Sequence, residues 1–148
     1  MKLSRSSMYA VKALLELGSA PPGVKVTCHQ LAENGHMPER FLLQILRNLV
    51  TSGLLKSTRG VHGGYRLGRP SQQISILDVF EAVDGPLRFE TAMDKGSNGT
   101  MRELIGEIGS RIRRQLDELR LSSFLGEQIE IELSEAVPPA NQLVGSLY

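Results

Sequence analysis

The sequence predicts a mainly α fold with a small β-hairpin and a long C-terminal helix. Short helical patterns fill the first half of the chain, and three glycines near residue 60 separate two strand-like segments. One apolar stripe with helical spacing then runs from about residue 100 to residue 121. The 148 residues, 41% of them apolar, are enough for one domain with an additional helix.

The first predicted helix covers about residues 7–18, with Ser6 or Ser7 as its N-cap. Gly18 and the Pro21-Pro22-Gly23 run that follows it end this helix. Its apolar stripe lies on one helix face and consists of Tyr9, Ala10, Ala13, Leu14 and Leu17.

Two further helices are predicted after a short extended piece. The second helix covers residues 28–33, with Thr27 as its N-cap and Gly35 in a left-handed conformation after it. The third covers residues 38–52, with Pro38 at its first helical position. Two helices joined by a tight, glycine-containing turn indicate a helix-turn-helix. The third helix should bury Phe41, Leu42, Ile45, Leu46 and Leu49.

The opposite side of the third helix carries side chains that can read base pairs. In a major groove, arginine pairs with guanine edges and glutamine pairs with adenine edges. The residues expected on this solvent side are Glu39, Arg40, Leu43, Gln44, Arg47 and Asn48.

Two predicted strands, at residues 54–58 and 65–67, flank the segment Arg59-Gly60-Val61-His62-Gly63-Gly64. Its glycines permit a tight hairpin tip. A basic hairpin directly after a helix-turn-helix is the wing of a winged helix, and its tip can place arginine against phosphates or in a narrow minor groove. Residues 1–87 are therefore predicted to form a winged helix-turn-helix DNA-binding domain.

The second half of the chain is predicted to provide a dimer contact. A fourth helix at residues 76–83, capped by Ser75, is followed by a loop region at residues 88–99. A helix with a large apolar face beyond a compact domain commonly needs a partner helix, so residues 100–123 are predicted to form a dimerisation helix. The alternative is that it packs only on its own domain. The stripe consists of Met101, Leu104, Ile105, Ile108, Ile112, Leu116 and Leu119.

Charge separates the two halves of the chain. Residues 1–70 contain ten Lys or Arg against three Asp or Glu, whereas residues 71–148 contain seven against thirteen. A basic first half favours contact with a polyanion. The tail at residues 124–148 is acidic and contains Pro138-Pro139. A disordered segment, a crossing arm and a contact for another protein all remain open for it.

Catalytic and metal sites are not expected, because the three histidines are scattered and no carboxylate or cysteine stands at ligand spacing from them. The single cysteine, Cys28, excludes a disulfide within one chain. It is expected to be a packed, inert thiol, with a redox-sensing thiol as the alternative. With no spanning apolar run and no apolar signal core, a cytoplasmic protein is expected.

Three blocks of sequence, in order, resemble the Rrf-two family of bacterial winged-helix repressors and activators. The most specific block runs from Leu54 to Pro70 and includes the Arg-Gly and Gly-Gly-Tyr pieces of the family's wing. The segment from Lys2 to Leu14 and the segment from Ile74 to Leu87 are similar to the family's N-terminal signature and to the helix before its effector loop.

The resemblance implies a homodimer on a palindromic operator, with Ser4, Arg5 and Tyr9 near phosphates. Position 43 departs from the family, which often has glutamate where this chain has Leu43. An apolar side chain there can meet a thymine methyl group instead. The residues expected at DNA are Lys2, Ser4, Arg5, Tyr9, Glu39, Arg40, Leu43, Gln44, Arg47, Lys56, Arg59, His62 and Gly63.

A second departure concerns sensing. Iron–sulfur members of the family hold their cluster with three cysteines in the effector loop, but residues 88–99 of this chain contain none. The sequence is therefore interpreted as a cluster-free member without a cofactor, and a small-molecule or protein effector stays open. The expected function is that of a transcription regulator, most simply a repressor, and not an enzyme. The alternative is a protein-interaction adaptor that uses the winged helix and the acidic tail.

Overall fold

The computed structural model describes residues 3–89 and 99–126. The described residues form five α-helices and one small antiparallel hairpin, which confirms the predicted fold class. Two single 3-10 turns lie at Ser71–Gln73 and Leu121–Phe124. The regular elements are α1 (Arg5–Ser19), α2 (Cys28–Gly35), α3 (Glu39–Thr51), β1 (Leu55–Thr58), β2 (Gly64–Leu67), α4 (Ile76–Asp84) and α5 (Gly99–Glu118).

Helix α1 begins two residues earlier than the sequence suggested. Its N-cap is Ser4, whose hydroxyl oxygen accepts a hydrogen bond from the backbone N–H of Ser7 at 3.0 Å. The prediction of Ser6 or Ser7 as the cap was wrong, because Ser7 is fully buried within the first turn. The predicted core face is confirmed at Ala10, Ala13, Leu14 and Leu17, whereas Tyr9 is only partly buried.

The turn between α2 and α3 differs from the prediction in two details. Helix α2 continues through Gly35, and His36 takes the left-handed conformation, with φ 51° and ψ 48°. Gly35 lies against the Met37 side chain, whose terminal methyl carbon would be 2.5 Å from a Cβ at this position. Pro38 is the N-cap of α3 rather than its first helical residue. The predicted cap Thr27 is confirmed, and with Gln30 it forms a capping box.

The hairpin pairs Leu55 with Leu67 at its base and Thr58 with Gly64 at its tip. The extended piece before α2 adds a short third contact, because Val26 and Tyr65 exchange backbone hydrogen bonds of 3.0 and 2.8 Å. The wing is therefore attached to the segment that leads into the helix-turn-helix.

Apolar side chains of α1–α4 and β1, most of them leucines, form a single core. Helix α4 begins with a capping box, as the predicted cap requires: the backbone N–H of Asp78 donates to the Ser75 hydroxyl oxygen, and the backbone N–H of Ser75 donates to the Asp78 carboxylate. The chain after α5 returns to this point, where the N–H of Leu121 donates to the carbonyl of Ile74 at 2.8 Å. The end of α5 is thus fixed to the segment that leads into α4.

Helix α5 ends at Glu118, about three residues before the end of the predicted apolar stripe at residue 121 and five before the end of the predicted dimerisation helix at residue 123. The turn at Leu121–Phe124 follows it and buries Leu121. Most of the predicted effector-loop region and of the acidic tail, residues 90–98 and 127–148, lies outside the described residues.

Candidate nucleic-acid interface

Helix α3 divides its side chains between the core and solvent. Leu42, Ile45, Leu46 and Leu49 are buried, as the helical spacing predicted. The predicted base-reading side chains all lie on the exposed side, apart from Asn48, which is partly buried. The exposed residues are Glu39, Arg40, Leu43, Gln44 and Arg47. This arrangement leaves the polar side of α3 free to enter a major groove.

Phe41 was predicted in the core, but 42% of its surface is exposed. Its ring contacts the ring of Tyr9 edge to face, with centroids 5.8 Å apart and an interplanar angle of 78°. Such a geometry is the favoured one for an aromatic pair. The pair joins the first turn of α3 to α1. It therefore holds Tyr9, a predicted phosphate contact, beside α3, the predicted recognition helix that would enter the major groove.

The first turn of α1 is held by a residue that the sequence did not single out. Both oxygens of the Asp84 carboxylate, at the end of α4, accept hydrogen bonds from α1 hydroxyls: Ser4 donates at 2.8 Å and Ser7 at 2.5 Å. The partners are about 80 positions apart, so no local pattern could have revealed the contact. Arg5, in the same turn, is exposed, and Lys2 lies outside the described residues.

The two strands of the wing place like charges opposite each other. Lys56 pairs with Arg66 across the hairpin, and both side chains are exposed. Like charges directly opposite on a sheet destabilise it unless something compensates them. An anion such as a DNA phosphate would provide that compensation. Sequence reasoning had included Lys56 and missed Arg66, although the register of the hairpin relates the two.

The wing tip is a tight turn in which Arg59, Val61 and His62 are exposed. Its backbone closes through a hydrogen bond of 2.9 Å from the N–H of Gly63 to the carbonyl of Gly60. A Cβ at Gly63 would lie 2.3 Å from the carbonyl oxygen of Thr58, so only glycine fits there. Gly63 therefore shapes the tip, and Arg59 and His62 supply its polar side chains.

Cys28 and His29 lie at the start of α2, where the structure brings both near Glu39. His29 Nδ1 is 3.3 Å from Glu39 Oε2, and the two groups are exposed. Partial burial, and secondly the negative charge of Glu39, raise the pKa of the Cys28 thiol above its ordinary value. This direction favours the thiol over the thiolate and agrees with the packed, inert cysteine. Among the described residues, no group of three potential ligands is placed to hold a metal ion.

The predicted dimerisation stripe on α5 has two parts. Ile105, Ile112 and Leu116 are partly buried, whereas Met101, Leu104, Ile108 and Leu119 are between 44% and 51% exposed. Gly109 packs against Phe89, since a Cβ there would lie 2.6 Å from the Phe89 ring. Arg113 pairs with Glu81 of α4 and donates to the carbonyl of Leu87 at 3.1 Å. One side of α5 thus contacts its own domain, and the apolar stripe extends beyond that contact.

None of the described helices is long and apolar enough to span a bilayer.

Proteins with known sequences and structures share this architecture. The chain is 32% identical over 133 residues to a protein of Haemophilus influenzae named as an HTH-type transcriptional regulator. The match covers 86% of this chain and 89% of that protein. It is 45% identical over 87 residues to a Mycobacterium tuberculosis protein with the same kind of name, a match that spans 54% of the length of that relative. CymR, the global cysteine regulator of Bacillus subtilis, superposes with a TM-score of 0.76 at 25% identity, over 87% of this chain and 99% of CymR.

The Rrf2 (Rrf-two) family profile, described as an iron-dependent transcriptional regulator, matches residues 3–127. Iron–sulfur clusters are held mainly by cysteine thiolates, and this sequence contains one cysteine, Cys28. The residues present therefore do not fit a three-cysteine cluster site. The match nevertheless spans the winged helix-turn-helix and α5 together. The chain belongs to the Rrf2 family of DNA-binding, winged-helix transcriptional regulators.

Proposed function

We propose that this regulator binds a palindromic operator as a homodimer and represses transcription there. The observation that carries the proposal is the division of α3, whose apolar side completes the core while Arg40, Gln44 and Arg47 face solvent. Two such helices related by a twofold axis would reach half-sites about 34–36 Å apart, or a multiple of that distance. Bound across a promoter, such a dimer would block access to it.

The side chains divide into base-reading and phosphate-binding groups. Arg40 and Gln44 are proposed to contact base edges, and Leu43 a thymine methyl group. Arg5, Tyr9 and the wing cations are proposed to contact phosphates, with Arg59 in the minor groove. Ser4 has a supporting role, because the single hydrogen of its hydroxyl is donated to Asp84 and is not free for a phosphate.

The exposed part of the α5 stripe supports the homodimer. Met101, Leu104 and Ile108 would be buried against the same residues of a partner, which is the self-complementary contact that a twofold axis produces. With one cysteine in the chain, we propose that sensing does not use the three-cysteine cluster. A small molecule or a partner protein in the cytoplasm would then be the effector. No enzymatic role is proposed.

Fluorescence anisotropy with labelled duplexes at several salt concentrations tests this function. Arg59→Ala should weaken binding to every sequence and lower the salt slope by about one. Arg40→Ala should instead reduce discrimination at one base pair per half-site, by about 1–3 kcal/mol. Failure of the unmodified protein to bind any duplex at moderate salt would overturn the proposal and favour a protein-interaction adaptor.

A further inference from the structure

We propose that Asp84 is a positioning residue for DNA binding, which holds the first turn of α1 in the conformation that contacts phosphate. The inference rests on the proposed function, because it concerns how the same surface is built. Asp84 is the last residue of α4, and both of its carboxylate oxygens are bonded to α1. No other described side chain bonds to either hydroxyl.

The contact is a closed ring of three hydrogen bonds. Ser4 donates its hydroxyl to one Asp84 oxygen, Ser7 donates to the other, and the backbone N–H of Ser7 donates to the Ser4 hydroxyl oxygen. Bonds to a carboxylate are stronger than bonds between neutral groups. Asp84 therefore fixes both the N-cap and the residue three positions later. Arg5 projects from the turn between them.

Ser7 can influence DNA binding only through the position of the turn, because it is not accessible to DNA. Its side chain is fully buried, so it cannot touch a nucleic acid. A buried hydroxyl needs a hydrogen-bond partner, and the Asp84 carboxylate provides it. Any effect of Ser7 on DNA affinity must therefore act through the position of the turn.

Because Asp84 is negatively charged, the direction in which its removal changes DNA affinity distinguishes repulsion from positioning. Asp84 is exposed beside a turn that is proposed to meet phosphates, so its negative charge should repel DNA. If repulsion were its only influence, removal of the carboxylate would tighten binding. If Asp84 positions the turn, its removal weakens binding although the protein becomes more positive.

Four variants of the full chain separate these effects: Asp84→Ala, Asp84→Asn, Ser7→Ala and Glu33→Ala. Asparagine removes the charge but can still accept from one hydroxyl and donate to the other. Glu33 is an exposed acid of α2 outside the proposed interface, and it controls for charge alone. DNA affinity is measured by anisotropy over a range of salt concentrations, together with the melting temperature and the oligomeric state.

We expect Asp84→Ala and Ser7→Ala to bind DNA on the order of tenfold more weakly for each protomer, the equivalent of one charge-assisted hydrogen bond. Their salt slopes should fall by about 0.9 for each phosphate that the displaced turn no longer neutralises. Asp84→Asn should bind at least as tightly as the unmodified protein, and Glu33→Ala slightly more tightly. A merely structural role would lower the melting temperature and leave the salt slope of the folded protein unchanged.

Two results would overturn the proposal. One is tighter DNA binding by both Asp84 variants, as expected for Glu33→Ala. The loss of a negative charge would then account for the whole change in affinity. The other is a DNA affinity and salt slope of Ser7→Ala equal to those of the unmodified protein. This variant keeps a good helix former in the buried position, so it tests the proposal even if Asp84→Ala does not fold. Absence of DNA binding by the unmodified protein would instead refute the proposed function itself, so the two failures are distinguishable.

Discussion

Helices α3 and α5 are both amphipathic, yet they use their apolar faces in opposite ways. Helix α3 buries four apolar residues, Leu42, Ile45, Leu46 and Leu49, and leaves its charged side in solvent. Helix α5 buries only Gly109, while Met101, Leu104 and Ile108 are about half exposed. The comparison shows that helical spacing identifies an apolar face but not what covers it. The core covers the apolar side of α3, whereas part of the apolar stripe of α5 is left exposed.

The contacts on the inner side of α5 explain why its stripe is only partly covered. At about 100° per residue, Gly109 and Arg113 lie to one side of the stripe, next to Leu116, and face Phe89 and Glu81. Leu104 and Ile108 lie on the other side, where about half of each residue is exposed. One side of α5 therefore packs on its own domain, and the other side is left for the proposed partner.

The largest effect is expected from a charge on the outer side of α5. Ile108→Glu would bury a carboxylate against its own copy across a twofold axis, so we expect the dimer to dissociate by at least a hundredfold and operator binding to be lost with it. Sedimentation velocity measures the dissociation. Ser110→Glu, on the opposite side of the helix, is the matched control and should remain dimeric. A dimeric Ile108→Glu would show that the outer side of α5 is not a dimer contact.

A cavity in the inner face of α3 should have the next largest effect. Leu46 is fully buried, so Leu46→Ala should reduce the free energy of unfolding by about 2–5 kcal/mol. Leu43, in the same helix, is 37% exposed, and Leu43→Ala should cost much less. Urea denaturation of both variants gives the difference. Equal losses would show that α3 is not divided between core and solvent as described.

A change at Leu43 should alter specificity and leave stability almost unchanged. Leu43→Glu replaces a group that suits a thymine methyl with one that accepts from the cytosine amine, so preference at one base pair should shift by about 1–3 kcal/mol. Competition between duplexes that differ at single positions measures the shift. A uniform loss of affinity at all positions would place Leu43 outside the base-reading surface.

The smallest effect concerns Cys28, beside the first residue of α3. Its raised pKa means that alkylation by iodoacetamide should require higher pH in the folded protein than in urea. Glu39→Gln removes the second cause of the shift and should move the profile partly back. Because the unfolded thiol loses its proton first, this group stabilises the fold below its ordinary pKa and ceases to do so as pH rises through the folded value. Faster alkylation of the folded form at neutral pH would indicate a reactive thiol instead.

Most of the fold could be predicted from local patterns, because helical spacing, capping residues and the glycine-rich tip act over a few positions. Helix ends were misplaced by one to a few residues, as at Gly35 and Pro38, and the larger errors come from partners that are distant along the chain. Ser4, Ser6 and Ser7 can all cap a helix, and the residue that holds Ser4 and Ser7 is Asp84, in α4. Phe41 has the spacing of a core residue, but its partner is Tyr9 of α1, at the edge of the core.

The candidate interface was predictable to the same degree. Side chains on α3 follow from helical period, so Arg40, Gln44 and Arg47 were found on the exposed side. Arg66 was missed because its relation to Lys56 depends on the register of the hairpin. The division of the α5 stripe depends on Gly109 and Arg113, whose partners lie in or after α4. Spacing alone places all seven stripe residues together.

Selection of bound fragments from random duplex DNA tests whether the chain places two copies of α3 on one operator. The full chain, at a concentration where it is dimeric, should enrich one inverted repeat whose half-site centres lie about 34–36 Å apart or a multiple of that distance. Arg40→Ala should enrich the same repeat with one position in each half relaxed. Recovery of a single uninverted half-site, or of no common sequence, would contradict a dimer that places two recognition helices on DNA.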